Sequence, residues 1–197
     1  GERLHICVGP ACNNNCIFCI EEDRETRFRV LANQTPMDVR RMLEAGSRAR
    51  QAMFVSGEPT LNARLPEYVT MARDLGFASV GLITNGRRLA YRSYARTLLE
   101  AGLDHVLVSI HGPDAQTHDA LTRTNGSYSQ TLAGIANLAS LKDEFRRLQV
   151  HTAFCVTRRN LEGVERFIES MRPYRIDQHV FNVMMPEGRG GRFFSTL

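Results

Sequence analysis

Three cysteines stand close together near the start of the chain, in the run Cys12-Asn13-Asn14-Asn15-Cys16-Ile17-Phe18-Cys19, spaced C-x3-C-x2-C. Thiolates this near in sequence converge on one inorganic centre, and soft sulfur ligands suit an iron–sulfur cluster or zinc. In a cubane of four irons, three cysteines leave one iron without a protein ligand, a position that a small molecule bearing an amino and a carboxylate group can chelate. Zinc needs a tetrahedral fourth ligand, for which Cys7 or His5 is at hand, but such sites usually come as two C-x2-C pairs and the second pair is missing. The spacing therefore favours the cluster. Cys7 and Cys155 fall inside expected strands and are read as core thiols. An odd set of five cysteines is a poor disulfide framework and points to a reducing compartment.

Other polar residues gather where strands should end. Ser56-Gly57-Glu58-Pro59-Thr60 combines a glycine that exposes backbone with a carboxylate able to accept from an ammonium; its bland reading is an ordinary solvated turn. Thr84-Asn85-Gly86 reads as a turn by its own chemistry. Val108-Ser109-Ile110-His111-Gly112 closes another strand, with His111 read as a histidine hydrogen-bonded in a loop. His118-Asp119 and Gly126-Ser127-Tyr128 are read as structural. Arg158, Arg159 and Asn160 follow a later strand, either reaching a carboxylate or forming a solvated loop. The pair Met184-Met185 reads as core by its apolar character.

The elements that must position these residues alternate along the chain. Short apolar runs predict strands at Leu4 to Val8, Ala52 to Ser56, Val80 to Thr84, His105 to Ile110, Val150 to Val156 and His179 to Met184. Helical spacing fills the intervals at Pro36 to Arg50, Leu65 to Leu75, Tyr91 to Glu100, Tyr128 to Leu141 and Asn160 to Met171. Thr35 before Pro36 reads as a cap followed by a first-turn proline, and Gly76 and Gly102 sit where helices should stop. Strands apolar on both faces indicate an α/β fold with a parallel sheet. Six such units are too few for an eight-stranded barrel, leaving an open doubly wound sheet or an incomplete barrel; in both, functional groups collect at the carboxyl ends of the strands.

Composition fits one folded domain: 197 residues, 43% of them hydrophobic, suffice for a core without staples. The net charge of +4 comes from scattered residues rather than a patch or tail, so nucleic acid is not an expected partner. No apolar run approaches the about 20 residues needed to span a bilayer. The N-terminus has no secretory pattern, and the expected location is the cytoplasm.

These residues, in this order, resemble the radical S-adenosylmethionine (SAM) enzymes. The family's hallmark is C-x3-C-x2-C with an aromatic residue before the last cysteine, as Phe18 is here. Ser56-Gly57-Glu58-Pro59 is similar to its G-G-E-P with serine replacing the first glycine, Ser109-Ile110-His111-Gly112 to its S-I-D-G with His111 replacing aspartate, and Met185-Pro186-Glu187-Gly188 to its M-P-x-G. The resemblance implies a partial (βα)6 TIM-like barrel, with residues 1–197 as the core domain. It implies a 4Fe-4S cluster on Cys12, Cys16 and Cys19, and SAM held by Phe18, Gly57, Glu58, Asn85, Ser109 and Met185. It further implies reductive cleavage of SAM to a 5'-deoxyadenosyl radical that takes hydrogen from substrate, and an electron donor such as flavodoxin or ferredoxin. The pattern lies nearest the branch of molybdenum-cofactor cyclases and peptide or sulfatase maturases, which makes the expected substrate a peptide or a small molecule. Many of these carry a C-terminal region with further clusters; here Gly190-Gly191 leads into Phe193-Phe194, and the expectation is a core belonging to a longer chain. A zinc-binding interaction module and a degenerate SAM-binding core without catalysis are the alternatives.

Overall fold

A computed structural model describes residues 2–21, 24–193 and 195; Phe194 lies outside the described residues. Six strands form one parallel sheet in sequence order: β1 (Arg3–Cys7), β2 (Gln51–Val55), β3 (Ser79–Thr84), β4 (His105–Ser109), β5 (Gln149–Val156) and β6 (Gln178–Val183). All six coincide with the expected runs to within about two residues. Between them run α1 (Arg24–Leu31), α2 (Pro36–Ala45), α3 (Leu65–Asp74), α4 (Arg92–Glu100), α5 (Ala115–Thr122), α6 (Ser127–Leu141) and α7 (Val164–Met171), and α8 (Gly188–Phe193) follows β6. Among the described residues β1 and β6 do not pair, so the sheet is an incomplete barrel rather than a closed one.

Strand alternation divides the work. Ile6, Phe54, Leu82, Val106 and Phe154 are fully buried beneath the helices, where they meet Leu43, Tyr68, Val69, Leu98, Ile135 and Phe167. Burial of each such side chain contributes about 1.5–3 kcal/mol, which is what holds the helices on that face. Register aligns the opposite, inner face: Cys7 lies beside Val55, Ile83 beside Leu107, and Ser109 beside Ala153. Cys7 is therefore exposed rather than the core thiol expected, because its strand position points it away from the helices. Cys155, on the same inner face, is half-buried, and burial pushes its thiol up to about 11.

Local chemistry sets the helix starts and stops. Thr35 and Asp38 form a reciprocal capping box with Pro36 in the first turn, but α2 stops at Ala45 rather than at Arg50, because Gly46 follows as its cap. Helices α1 and α5 were not expected from the periodicity: α1 is largely polar, and α5 depends on the Asp114 carboxylate accepting from Thr117 N at 2.9 Å. Among the described residues no helix is long and apolar enough to cross a membrane.

Candidate functional site

The loop after β1 carries the three expected cysteines and is tied to the end of α5, the start of α6, the ends of β2 and β3, and α8. Asn15 N donates to the Thr122 carbonyl at 2.9 Å and Ile17 N to that of Leu121 at 3.0 Å, fastening the loop to the end of α5. The intervening asparagines face three ways. Asn13 Oδ1 accepts from Asn85 Nδ2 at 2.6 Å, and Asn14 Oδ1 accepts from Ser127 Oγ at 3.1 Å and Arg87 Nη1 at 3.0 Å. Asn15 Oδ1 accepts from the Arg189 guanidinium, and the Asn13 carbonyl from that of Arg87. Sequence reasoning did not single out Asn13, Asn14, Asn15, Arg87 or Arg189; the run of three asparagines between the cysteines is the signal that could have found the first three, and no local signal marks the two arginines.

Cys12, Cys16 and Cys19 are half-buried. Burial raises the Cys16 pKa well above the ordinary thiol range, the charges of Cys12 and Cys19 raise it further, and the Arg189 charge opposes them. Cys12 and Cys19 thus both lie within electrostatic reach of Cys16. Among the described residues no three His, Cys, Asp or Glu side chains form a ligand set for a single metal ion.

The end of β2 packs directly under this loop, with Glu58 N donating to the Ala11 carbonyl at 2.7 Å and Gly57 N to Glu21 Oε2 at 2.8 Å. Ser56 and Gly57 both have left-handed backbone, φ 77° and 55°. At Ser56, where the resembling family has glycine, this costs about 1–2 kcal/mol. Glu58 is buried, not solvated. Its Oε1 accepts from Thr60 N at 3.1 Å, Thr60 Oγ1 at 2.6 Å and Thr84 Oγ1 at 2.6 Å, while Oε2 accepts from Asn85 N at 2.7 Å. Burial raises its pKa and these four donors oppose the rise. The carboxylate is a post joining the ends of β2 and β3. Glu58→Ala orphans two buried backbone N–H groups, each worth about 1–3 kcal/mol, so a loss near 3 kcal/mol is expected in urea unfolding. If Glu58 also holds SAM, as the resemblance implies, calorimetry on the reconstituted variant is expected to show weaker SAM binding with the iron content unchanged; wild-type values in both assays would refute that role.

The remaining expected residues divide. Asn85 is joined to the site through Asn13 and Glu58. Phe18 meets His111 edge-on at 4.7 Å, which carries the cysteine loop onto the end of β4. Ser109 ends β4, half-buried on the inner face, with no hydrogen bond to its hydroxyl among the described residues. Met184 is buried with Ile17 and Leu121, whereas Met185 is 56% exposed. Asn160 is buried, and its Nδ2 donates to the His111 carbonyl at 2.9 Å and that of Cys155 at 2.8 Å, joining the ends of β4 and β5. Arg158 and Arg159 are exposed.

Buried histidines support the frame. His111 N donates to His118 Nδ1 at 3.0 Å, and Cys155 N to His111 Nδ1 at 3.1 Å. Deeper on the inner face, the Gln51 amide meets His105 Nδ1 at 2.7 Å and His105 Nε2 meets His151 Nδ1 at 3.1 Å. Burial is the main cause holding the pKa of His105 and of His118 down to about 4, from an ordinary 6.5. Because the folded pKa lies below the unfolded one, the fold favours neutral rings. That contribution is intact above pH 6.5 and is lost as pH falls from there towards 4. Each ring is expected to cost about 2 kcal/mol of stability by pH 5, and the loss should shrink in His105→Gln when urea unfolding is compared at pH 7 and pH 5.

The chain is 31% identical over 196 residues to a probable GTP 3',8-cyclase of Sulfolobus acidocaldarius, covering 99% of this chain and 60% of that protein. It is 30% identical over 196 residues to a probable GTP 3',8-cyclase of Metallosphaera sedula, covering 98% of this chain and 59% of that one. The chain therefore spans about three fifths of the length of these relatives. Among solved structures, Streptococcus suis SuiB bound to S-adenosylmethionine superposes with a TM-score of 0.71 at 16% identity, over 93% of this chain and 41% of SuiB, a likeness of fold. The family model described as the Radical SAM superfamily matches residues 6–171. The chain belongs to the radical SAM superfamily.

Proposed function

We propose that this chain is the cofactor-binding core of a radical SAM enzyme. The observation that carries the reading is the apposition of the three-cysteine loop to the Gly57–Glu58 strand end, joined by Glu58 N to the Ala11 carbonyl. The residues fit both cofactors. Three thiols on one braced loop suit a 4Fe-4S cluster with an open iron, and the Gly57 carbonyl has no donor among the described residues, so it suits an ammonium group. When bound, the cofactors supply one-electron cleavage of SAM and a hydrogen-abstracting 5'-deoxyadenosyl radical.

The protein's own part is positioning. Cys12, Cys16 and Cys19 would hold the cluster, and Gly57 the methionyl ammonium, with Glu58 keeping that strand end in place. Asn85 braces the loop, Phe18 sets the loop against β4, and with SAM bound the Ser109 hydroxyl would face its ribose or carboxylate and the backbone at Met185 its adenine. The braced loop and strand ends would hold the bound groups in one orientation. An external one-electron donor of the flavodoxin or ferredoxin kind would supply the electron.

The similarity to probable GTP 3',8-cyclases over nearly the whole chain supports cofactor biosynthesis, with a purine nucleotide as substrate, over peptide maturation. Anaerobic reconstitution with iron and sulfide, followed by reduction with dithionite in the presence of SAM, tests the reading by chromatography. Formation of 5'-deoxyadenosine is expected, and GTP should increase it. Zinc uptake without iron–sulfur absorption would support the interaction module instead, and a loaded, SAM-bound cluster that yields no product would support the degenerate core.

A further inference from the structure

Two guanidiniums touch the cysteine loop, and they do so differently. Arg87, in the turn after β3, donates to the Asn13 carbonyl and to Asn14 Oδ1, with its Nε on Gln130 Oε1 at 2.7 Å. Arg189, in the first turn of α8, meets the Asn15–Cys19 part of the loop. Its backbone N donates to the Cys19 carbonyl at 2.9 Å, and its guanidinium to Asn15 Oδ1 and the Cys16 carbonyl, the latter at 3.4 Å. The approach is close because residue 188 is glycine at φ 54°: a Cβ there would lie 2.5 Å from the carbonyl oxygens of Cys19 and Ile20. The Asn15 backbone is fixed beneath the guanidinium by its N–H on the Thr122 carbonyl.

We propose that Arg189 is a positioning residue that also sets the reduction potential of the cluster, an inference that rests on the cluster assignment above. Arginine stays charged at every accessible pH, and three thiolates with inorganic sulfide concentrate negative charge. Taking up one electron from an external donor adds another negative charge and breaks no bond. A fixed guanidinium beside Cys16 therefore stabilises the reduced form more than the oxidised form. Asn15 holds the guanidinium there. Arg87 braces the Asn13–Asn14 side of the loop and, among the described residues, makes no hydrogen bond to Cys16, so its influence is smaller.

The test is a redox titration of the anaerobically reconstituted protein without SAM, followed by the electron paramagnetic resonance signal of the reduced cluster, after iron and sulfide have been counted. Arg189→Met is expected to make reduction about tenfold less favourable, a fall of about 59 mV for one electron. Arg189→Lys should keep most of the wild-type potential, Asn15→Ala should fall part of the way, and Arg87→Met should change little. A fully loaded Arg189→Met protein with the wild-type potential would overturn the proposal, as would an equal fall in Arg87→Met. Should Arg189→Met lose its cluster, Asn15→Ala and Arg189→Lys decide: a fall in the first with retention in the second supports the proposal, and any other pair of results overturns it. Wild-type protein that takes up no cluster overturns the cofactor assignment itself, and this inference with it, a failure separated from the others by the iron count.

Discussion

Cys16→Ala is expected to remove nearly all cluster iron and, with it, SAM cleavage above background, since two thiolates cannot hold a cubane that already lacks a fourth protein ligand. Cys16 lies between the other two cysteines, and its loop is fixed on both sides by Asn15 N and Ile17 N, so no neighbouring sulfur can shift into its place. Cys7 and Cys155 are the informative controls. Cys7 is exposed at the end of β1 near Ser56 and Glu21, and Cys155 is half-buried on β5 against the cluster of Ile17, Leu121 and Met184. Their alanine variants should reconstitute to close to four irons. Iron and sulfide analysis alongside the absorption spectrum checks all three proteins, and undiminished iron in Cys16→Ala would exclude the assignment.

Gly57→Val is expected to cost about 4 kcal/mol and to unseat the cysteine loop before any cofactor is added. Two effects combine. Residue 57 has φ 55°, which a β-branched residue adopts at a cost of about 1–3 kcal/mol. Its new Cβ would also stand 2.5 Å from the Ala11 carbonyl and 2.8 Å from that of Gly9, both backbone atoms that cannot rotate aside. The loop must therefore lift, releasing the bond from Glu58 N to Ala11. Urea unfolding reads the stability, and faster thiol modification of Cys12, Cys16 and Cys19 reads the lifted loop. Gly9→Ala is the comparison, because an added Cβ there meets nothing within 4 Å. Equal stability and thiol reactivity in Gly57→Val and wild type would contradict this account.

What the amino-acid sequence determined by itself is the part of the molecule governed by near neighbours. Strand runs such as Val80 to Thr84 are legible because apolar content and β-branching act within a few residues, and the Thr35–Asp38 cap because its bonds span three positions. The cysteine spacing is legible for the same reason, since one loop supplies every thiol. Helices α1 and α5 were missed where that local signal fails: α1 has few apolar residues, and α5 begins on a cap and ends in left-handed Arg123 without a strong stripe. Only the tertiary structure decided the rest. Glu58 reads locally as a solvated turn residue and becomes a buried post because β3, 26 positions on, brings Thr84 against it. Arg189 meets Asn15 across 174 positions, and Asn85 meets Asn13 across 72, because a parallel sheet gathers its carboxyl ends on one rim whatever their distance along the chain. Cys7 faces outward from the helices for the same geometric reason: alternation along β1, once the sheet is covered on one side only, assigns it to the inner face.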